Sequence, residues 1–146
     1  MKKVLFLCTG NYYRSRFAEH LFNALAAKHQ LDWQADSRGL ALELGVNNVG
    51  PISKYTVRRL AELGIEIGDR ERFPRSAESA DFATADRIIA LDETEHRPMI
   101  AQRFPQWAEA IAYWNVCDVD KTPAETALPE IERRIEELAI ALQQLP

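Results

Sequence analysis

The amino-terminal stretch constrains the fold of this chain more than any other feature. Residues 3–7 form a mostly apolar run, which is typical of a central β-strand covered on both faces. Gly10 and Asn11, which tolerate a positive φ, then break the run, and Ser15 is a suitable N-cap for a helix that should end near His29. A buried strand followed by a loop and a helix predicts an α/β fold, because parallel strands are joined by long crossovers.

The rest of the chain repeats this alternation. Three more strands are predicted, at residues 31–35, 87–91 and 110–116. Helices are predicted from Ser53 to Gly64, from Asp92 to about Phe104, and from Leu128 onward along an apolar stripe of Ile131, Ile135, Leu138, Leu142 and Leu145. Residues 65–80 are polar and are predicted to form a surface loop.

These elements predict a small doubly wound α/β fold. It has four parallel strands with helices on both faces, and the apolar run places the first strand at the centre of the sheet. The length of 146 residues, with 47% hydrophobic and 27% charged residues, suits a single domain over residues 1–146.

The carboxyl end of the first strand is the predicted ligand site, because open α/β sheets bind ligands where the strand order reverses. The strand ends on Cys8, and five residues separate this cysteine from Arg14. Inward-facing loop amides and a helix N-terminus bind anions and favour the thiolate form of a cysteine. Arg14 can hold two oxygens of a tetrahedral anion, and Ser15 can donate a hydrogen bond to the thiolate. A thiolate beneath a bound phosphate is placed for in-line attack through a phosphocysteine.

Composition narrows the classes of function. A net charge of −4 and a pI of about 5.4 argue against a general nucleic-acid binder. No apolar run approaches the roughly 18 residues of a membrane span, and Val4–Leu7 is too short for the core of a signal peptide, so we expect a cytoplasmic protein without a membrane partner. Cys8 and Cys117 form neither a disulfide framework nor a metal-binding pair. We therefore expect free thiols, no metal and no cofactor.

The sequence around Cys8 resembles that of a known family. The loop Cys8–Ser15 is similar to the signature loop of the low-molecular-weight protein tyrosine phosphatases. Residues 36–39, 60–65 and 82–93 resemble three further segments of that family. The resemblance implies a phosphotyrosine protein phosphatase I-like sheet of strand order 2-1-3-4. It also implies a cysteine-dependent hydrolase of phosphate monoesters, above all of protein phosphotyrosine. Its partner would be a phosphorylated protein or a small phosphomonoester, and we expect a monomer or weak dimer.

The resemblance further assigns roles to residues of this sequence. Cys8 would be the nucleophile, and the phosphate would be bound by Thr9, Gly10, Asn11, Tyr12, Tyr13, Arg14 and Ser15. Asn11, Ser15 and Ser37 would hold the loop in shape. The family carries its general acid in a late loop with an Asp-Pro pair. Here Asp118 is the candidate, and Asp120 is the second candidate because the proline is missing.

Several positions depart from the family pattern. Tyr13 stands where many members have a second cysteine, and Tyr12 stands where they have a smaller residue or, in phosphoarginine-specific members, a threonine. Arg16 replaces the usual proline and adds charge near the site. The histidine that the family often places near residues 69–75 is absent. His20, His29 and His96 fall on helical patterns, and we expect surface or packing roles for them.

The sequence leaves two other functions open. The missing Asp-Pro pair and flanking aromatic residues are compatible with a phosphate- or phosphopeptide-binding module that has lost turnover. A thiol-dependent arsenate reductase uses the same fold and anion loop. It needs additional cysteines, however, and only Cys117 is available.

Overall fold

The computed structural model describes residues 1–68 and 70–144. Within these ranges the strands and helices are, in chain order, β1 Lys2–Cys8, α1 Arg14–Lys28, β2 Trp33–Gly39, α2 Lys54–Glu62, α3 Ser79–Thr84, β3 Arg87–Ala90, α4 Glu93–Arg103, β4 Ala112–Tyr113 and α5 Ala124–Gln143. Short 3-10 turns occupy Leu42–Gly45 and Pro105–Trp107. None of the helices in the described ranges is long and apolar enough to cross a bilayer.

The four strands form a parallel sheet in the order β2-β1-β3-β4. Helices cover both faces, with α1 and α5 packed on one side and α3 and α4 on the other. This arrangement confirms the predicted doubly wound fold and its strand order. The carboxyl ends of β1, β2 and β3 therefore lie together at one edge of the sheet.

The central position of β1 explains its apolar sequence. Alternate side chains point to opposite faces of a strand, so Val4 and Phe6 enter the core beneath α1 and α5. Leu5 and Leu7 enter the second core on the other face. All four side chains are fully buried, which requires apolar residues at every position rather than at every second one.

The boundaries of several elements differ from the prediction. β2 extends to Gly39, and β4 contains only two residues. The predicted surface loop at 65–80 leads into α3, whose first turn is closed by a reciprocal capping box between Glu78 and Asp81. That signature uses an acid in place of the usual Ser or Thr, which is why the pattern was missed.

Two helix starts were also predicted wrongly. α1 begins at Arg14 with Tyr13 at the N-cap position, because the Ser15 side chain bonds to loop residues instead of capping the helix. α5 begins at Ala124, directly after Pro123, and includes Pro129. Its apolar stripe lies on the core as expected, although Leu145 falls outside the described residues. Asp69, in the predicted loop at 65–80, also falls outside them.

Candidate active site

The loop between β1 and α1 is fastened to the neighbouring chain by its backbone. The amides of Leu40 and Ala41 donate to the carbonyls of Cys8 and Thr9, each at 2.9 Å. Gly39 lies so close beneath the loop that a Cβ there would be 2.9 Å from the Thr9 carbonyl oxygen. The end of β2 must therefore be a glycine for the loop to keep this position.

Cys8 lies at the floor of this loop with only 2% of its surface exposed. Its Sγ is 2.9 Å from the Oγ of Ser15. The Asn11 side-chain amide donates to the same Oγ at 2.8 Å, so the Ser15 hydroxyl proton is free to point at the sulfur. A hydrogen bond donated to sulfur favours the thiolate, which is the nucleophilic form of cysteine.

Asn11 holds the loop in a left-handed turn, with a φ of 51°. Its Nδ2 donates to Ser15 and, at 2.9 Å, to the Oγ of Ser37. Its Oδ1 accepts bonds from the guanidinium of Arg72 at 2.9 Å and from the backbone amide of Arg75 at 3.1 Å. The side-chain amide is therefore saturated, and four bonds offset the strain of the positive φ.

Arg72 was not anticipated as part of the site. Besides Asn11, its guanidinium donates to the carbonyl and hydroxyl oxygens of Ser37 and pairs with Glu19 at 3.2 Å. It comes from the segment in which the family histidine is missing. Only the folded structure brings this cation to the loop, and the sequence carries no signal for it.

The backbone of the loop forms an open donor surface. Within the described part of the chain, the amides of Gly10, Asn11, Tyr12 and Tyr13 make no hydrogen bond to another residue. They lead directly into the N-terminus of α1, whose first-turn amides and dipole add positive character. Successive free amides at a helix start form an anion-binding nest.

Arg14 supplies the fixed positive charge of the site and is 1% exposed. Its Nη1 donates to the carbonyl of Val116 at 2.9 Å, and its Nη2 pairs with a Glu95 oxygen at 2.9 Å. Burial alone would lower the pKa of Arg14, but the negative charges of Cys8 and Glu95 raise it above its ordinary value. The guanidinium is therefore permanently charged.

Glu95 is a second residue that sequence reasoning missed. Its carboxylate accepts a hydrogen bond from Thr9 and lies 3.2 Å from Nε2 of the fully buried His96. Burial alone would raise the pKa of Glu95, but the bonds from His96, Arg14 and Thr9 hold it well below its usual range. A partial signal was available, because Glu95 lies in the first turn of α4, the helix after β3, and β3 is a neighbour of β1.

His96 has a defined tautomer. Its Nδ1 accepts a hydrogen bond from the backbone amide of Asp92 at 3.1 Å, so the proton lies on Nε2, facing Thr9 and Glu95. Burial lowers the pKa of His96, which keeps the ring neutral. The expected packing role is correct for this residue, but it packs against the loop and not merely within the helix layer.

A pocket of about 220 Å³ opens above Cys8, and three tyrosines contribute to its walls. The residues that line it are Gly10, Tyr12, Tyr13, Arg14, Asn48, Ser53, Tyr55, Asp118 and Val119. The Tyr12 hydroxyl donates to the Val49 carbonyl at 2.6 Å, which fixes its ring. The Tyr13 and Tyr55 rings meet edge to face, with centroids 6.4 Å apart. Burial and the charge of Asp118 raise the pKa of Tyr13 to about 12, so this tyrosine stays neutral.

The two candidate acids occupy different surroundings. Asp118 lines the pocket above Cys8, and its Oδ2 lies 3.6 Å from Nη2 of Arg14. Asp120 lines a larger neighbouring groove instead. Of the two candidates, Asp118 is therefore the one whose carboxylate lies in the pocket above Cys8.

Arg16 does not add charge to the pocket, contrary to the expectation. Its side chain is fully buried and pairs with Glu71 at 2.5 Å. It also donates to the carbonyls of Pro51 and Arg72, so it ties two loops to α1. His20 contacts the same Glu71 carboxylate at 2.9 Å. Arg16 is an internal cross-link with its own counter-ion.

No group of three or more potential metal ligands of the His, Cys, Asp or Glu types occurs among the residues that the structure describes. Cys117 is a free, half-buried thiol. The positive character of the site comes from Arg14, the loop amides and the start of α1.

Comparisons with known proteins identify the family of this chain. The family model for low molecular weight phosphotyrosine protein phosphatase matches residues 3–145. A low molecular weight phosphotyrosine protein phosphatase of Mus musculus is 31% identical over 101 residues, covering 67% of this chain and 60% of the mouse protein. The chain belongs to the low molecular weight phosphotyrosine protein phosphatase family, which confirms the resemblance noted in the sequence.

Solved structures of similar fold extend the comparison. A low molecular weight protein tyrosine phosphatase from T. tengcongensis is 27% identical with a TM-score of 0.76, over 99% of this chain and all of its own (100%). The YwlE arginine phosphatase from Geobacillus stearothermophilus is 26% identical with a TM-score of 0.76, over 98% of this chain and 94% of its own. Structural neighbours thus carry names for two different substrates. The match to the curated mouse relative spans 60% of that relative's length.

Proposed function

We propose that this chain is a cysteine-dependent phosphatase that hydrolyses phosphate monoesters through a phosphocysteine, with protein phosphotyrosine as the substrate. One observation carries the proposal. Cys8 and the buried Arg14 line the same pocket as Asp118, beside four loop amides that have no hydrogen-bond partner among the described residues. This combination offers a nucleophile, a phosphate cradle and a proton donor within one small space.

In the first step the phosphate monoester binds with its oxygens on the loop amides and on Arg14. The thiolate of Cys8 attacks phosphorus, an S–P bond forms, and the P–O bond to the leaving group breaks. The protonated carboxyl of Asp118 gives its proton to the leaving oxygen, which departs as a neutral alcohol or phenol. The amides and Arg14 stabilise the charge on the equatorial oxygens without moving.

In the second step water releases the phosphate. The Asp118 carboxylate accepts a proton from a water molecule that attacks phosphorus, and the S–P bond breaks to return the thiolate. The Ser15 hydroxyl, 2.9 Å from the sulfur, stabilises the thiolate as leaving group here and as nucleophile in the first step.

The aromatic pocket wall supports an aryl phosphate. Tyr12, Tyr13 and Tyr55 surround the space above Cys8 and can flank a phenyl ring. A groove of about 720 Å³ continues from the pocket past Tyr55 and Val119, and it can take the polypeptide that carries the ring. The proposal treats residues 1–146 as one phosphatase domain that acts as a monomer or weak dimer.

Phosphoarginine is a second candidate substrate, because a structural neighbour is named an arginine phosphatase. The loop position that carries threonine in phosphoarginine-specific members carries Tyr12 here. The Tyr12 hydroxyl already donates to the Val49 carbonyl, so it is not free to hydrogen-bond to the guanidinium group of a phosphoarginine substrate. This contact favours phosphotyrosine over phosphoarginine.

The proposal is tested by p-nitrophenyl phosphate hydrolysis with wild type, Cys8→Ser and Asp118→Ala, and with Cys117→Ser and Asp120→Ala as matched controls. We expect the first two variants to lose activity and the two controls to keep it. Phosphate binding without hydrolysis in the wild type would establish a binding module instead. Arsenate consumption with a thiol reductant would establish the reductase. Parallel assays with phosphotyrosine and phosphoarginine peptides decide the substrate.

A further inference from the structure

We infer that Glu95 is a positioning residue for Arg14: its carboxylate grips one edge of the guanidinium, so that the other edge stays turned toward a bound phosphate. The inference rests on the proposed phosphatase function and deepens it. It assigns a role to a side chain outside the loop and outside the nucleophile, acid and cradle already described.

The guanidinium of Arg14 has two planar edges that can each hold two oxygens. Glu95 occupies the end edge, with one oxygen 2.9 Å from Nη2 and the other 3.4 Å from Nη1. The Val116 carbonyl accepts a further bond from Nη1 at 2.9 Å. Nη1 is therefore fully committed to protein acceptors, and it cannot serve the substrate.

The side edge, formed by Nε and Nη2, is different. Nε is buried and has no hydrogen-bond partner in the described part of the chain. An unpaired buried donor on a charged group is costly unless a ligand completes it. Because Arg14 lines the pocket above Cys8, a phosphate oxygen on Nε and a second on Nη2 would complete this edge.

Glu95 is itself held firmly enough to act as an anchor. Thr9 donates to its Oε2, and Nε2 of His96 lies 3.2 Å from the same oxygen. His96 is oriented in turn by the Asp92 amide. Because Thr9 directly follows Cys8, the chain of contacts links the nucleophile, the anchor and the arginine into one rigid unit.

An alternative role for an acid beside a phosphate-binding arginine is internal competition, in which the carboxylate occupies the place of the phosphate. That role requires the carboxylate on the edge that faces the pocket. Glu95 instead lies on the end edge, since it contacts Nη1 and Nη2 and leaves Nε open. The contacts therefore favour positioning over competition.

Glu95→Gln tests the inference, with Glu93→Gln as the matched control. Both residues lie in the first turn of α4, but Glu93 pairs with the exposed Arg97 at 3.0 Å and does not touch the loop. We expect Glu95→Gln to raise KM for p-nitrophenyl phosphate and the inhibition constant for inorganic phosphate about tenfold or more, because a charge-assisted hold on Arg14 is lost. Glu93→Gln should leave both constants unchanged.

Direct calorimetric titration with inorganic phosphate gives a readout that needs no turnover. If Glu95→Gln binds phosphate more tightly than the wild type, Glu95 competes with phosphate and the inference is overturned. Unchanged affinity and KM with only a lower melting temperature would establish a purely structural role and overturn it equally. If Glu95→Gln fails to fold, Thr9→Val removes one donor to Glu95 and should weaken phosphate binding in the same direction by a smaller factor.

The two proposals fail in distinguishable ways. A wild-type chain that binds phosphate but does not hydrolyse p-nitrophenyl phosphate overturns the proposed function, while the titrations still decide the role of Glu95. A wild-type chain that hydrolyses normally, beside a Glu95→Gln variant with unaltered phosphate affinity, overturns only the role of Glu95.

Discussion

The contact between Arg72 and the Asn11 turn makes the loop sensitive to a residue far from the pocket. Arg72→Met removes the 2.9 Å bond to Asn11 Oδ1 and the two bonds to Ser37, but keeps a long side chain to cover the loop. Loss of one charged donor to buried acceptors costs about 1.5–3 kcal/mol, and bonds from a single guanidinium are not additive, so we count the three bonds together as one such loss. The Arg72 side chain is 21% exposed, so water replaces part of the loss.

We therefore expect Arg72→Met to lower the free energy of unfolding by about 1–3 kcal/mol. It should also lower kcat/KM for p-nitrophenyl phosphate by about tenfold, because the loop amides lose their fixed direction. Urea unfolding followed by circular dichroism and steady-state kinetics measure the two effects.

Arg75→Met is the matched control for this prediction. It removes the same charge from the same segment, but the Arg75 side chain is exposed and only its backbone amide reaches Asn11. An Arg72→Met variant that matches Arg75→Met in both stability and kcat/KM would refute the argument that Arg72 supports the loop.

Three further predictions follow from single contacts. Gly39→Ala should lower the free energy of unfolding in urea by about 1–3 kcal/mol, since a Cβ would clash with the Thr9 carbonyl. The control Gly68→Ala places its Cβ in open space and should leave that free energy unchanged. Equal effects of the two substitutions would contradict the clash. Tyr13→Phe should leave the melting temperature unchanged or raise it, since the buried Tyr13 hydroxyl has no partner within residues 1–68 and 70–144; a marked fall would reveal a missing partner. The pKa of Glu95 lies below its unfolded value of about 4.3, so its contribution is present above that pH and is lost as pH falls toward the folded pKa. The difference in melting temperature between wild type and Glu95→Gln should therefore shrink from pH 6 to pH 3, and a constant difference would contradict the ionic role.

The fold was predictable because its strongest signals are local. The apolar run of β1 and the glycine-containing loop after it place a cysteine and an arginine at one edge of a parallel sheet. β1 is buried on both faces, so its sequence contains no polar alternation that could suggest a different arrangement. Such signals require no knowledge of distant contacts.

The supports of the site were not predictable for the opposite reason. Arg72 reaches Asn11 across 61 positions of sequence, and Glu95 reaches Arg14 across 81. The position of Glu95 after β3 indicates the correct edge of the sheet, but not its contact with Arg14. Arg16 illustrates the same limit, since a charge next to the loop in sequence proved to be buried and neutralised by Glu71. A long-range ion pair leaves no periodic trace in a single sequence.

The central claim is that catalysis passes through a phosphate covalently bound to Cys8. Rapid acid quench of the wild type and of Asp118→Ala during p-nitrophenyl phosphate turnover, followed by peptide mass spectrometry, tests it most directly. The account predicts one phosphoryl group on the peptide that contains Cys8, and none on that peptide in Cys8→Ser. Sustained turnover with the phosphoryl group on another residue, or with Cys8→Ser still active, would contradict it.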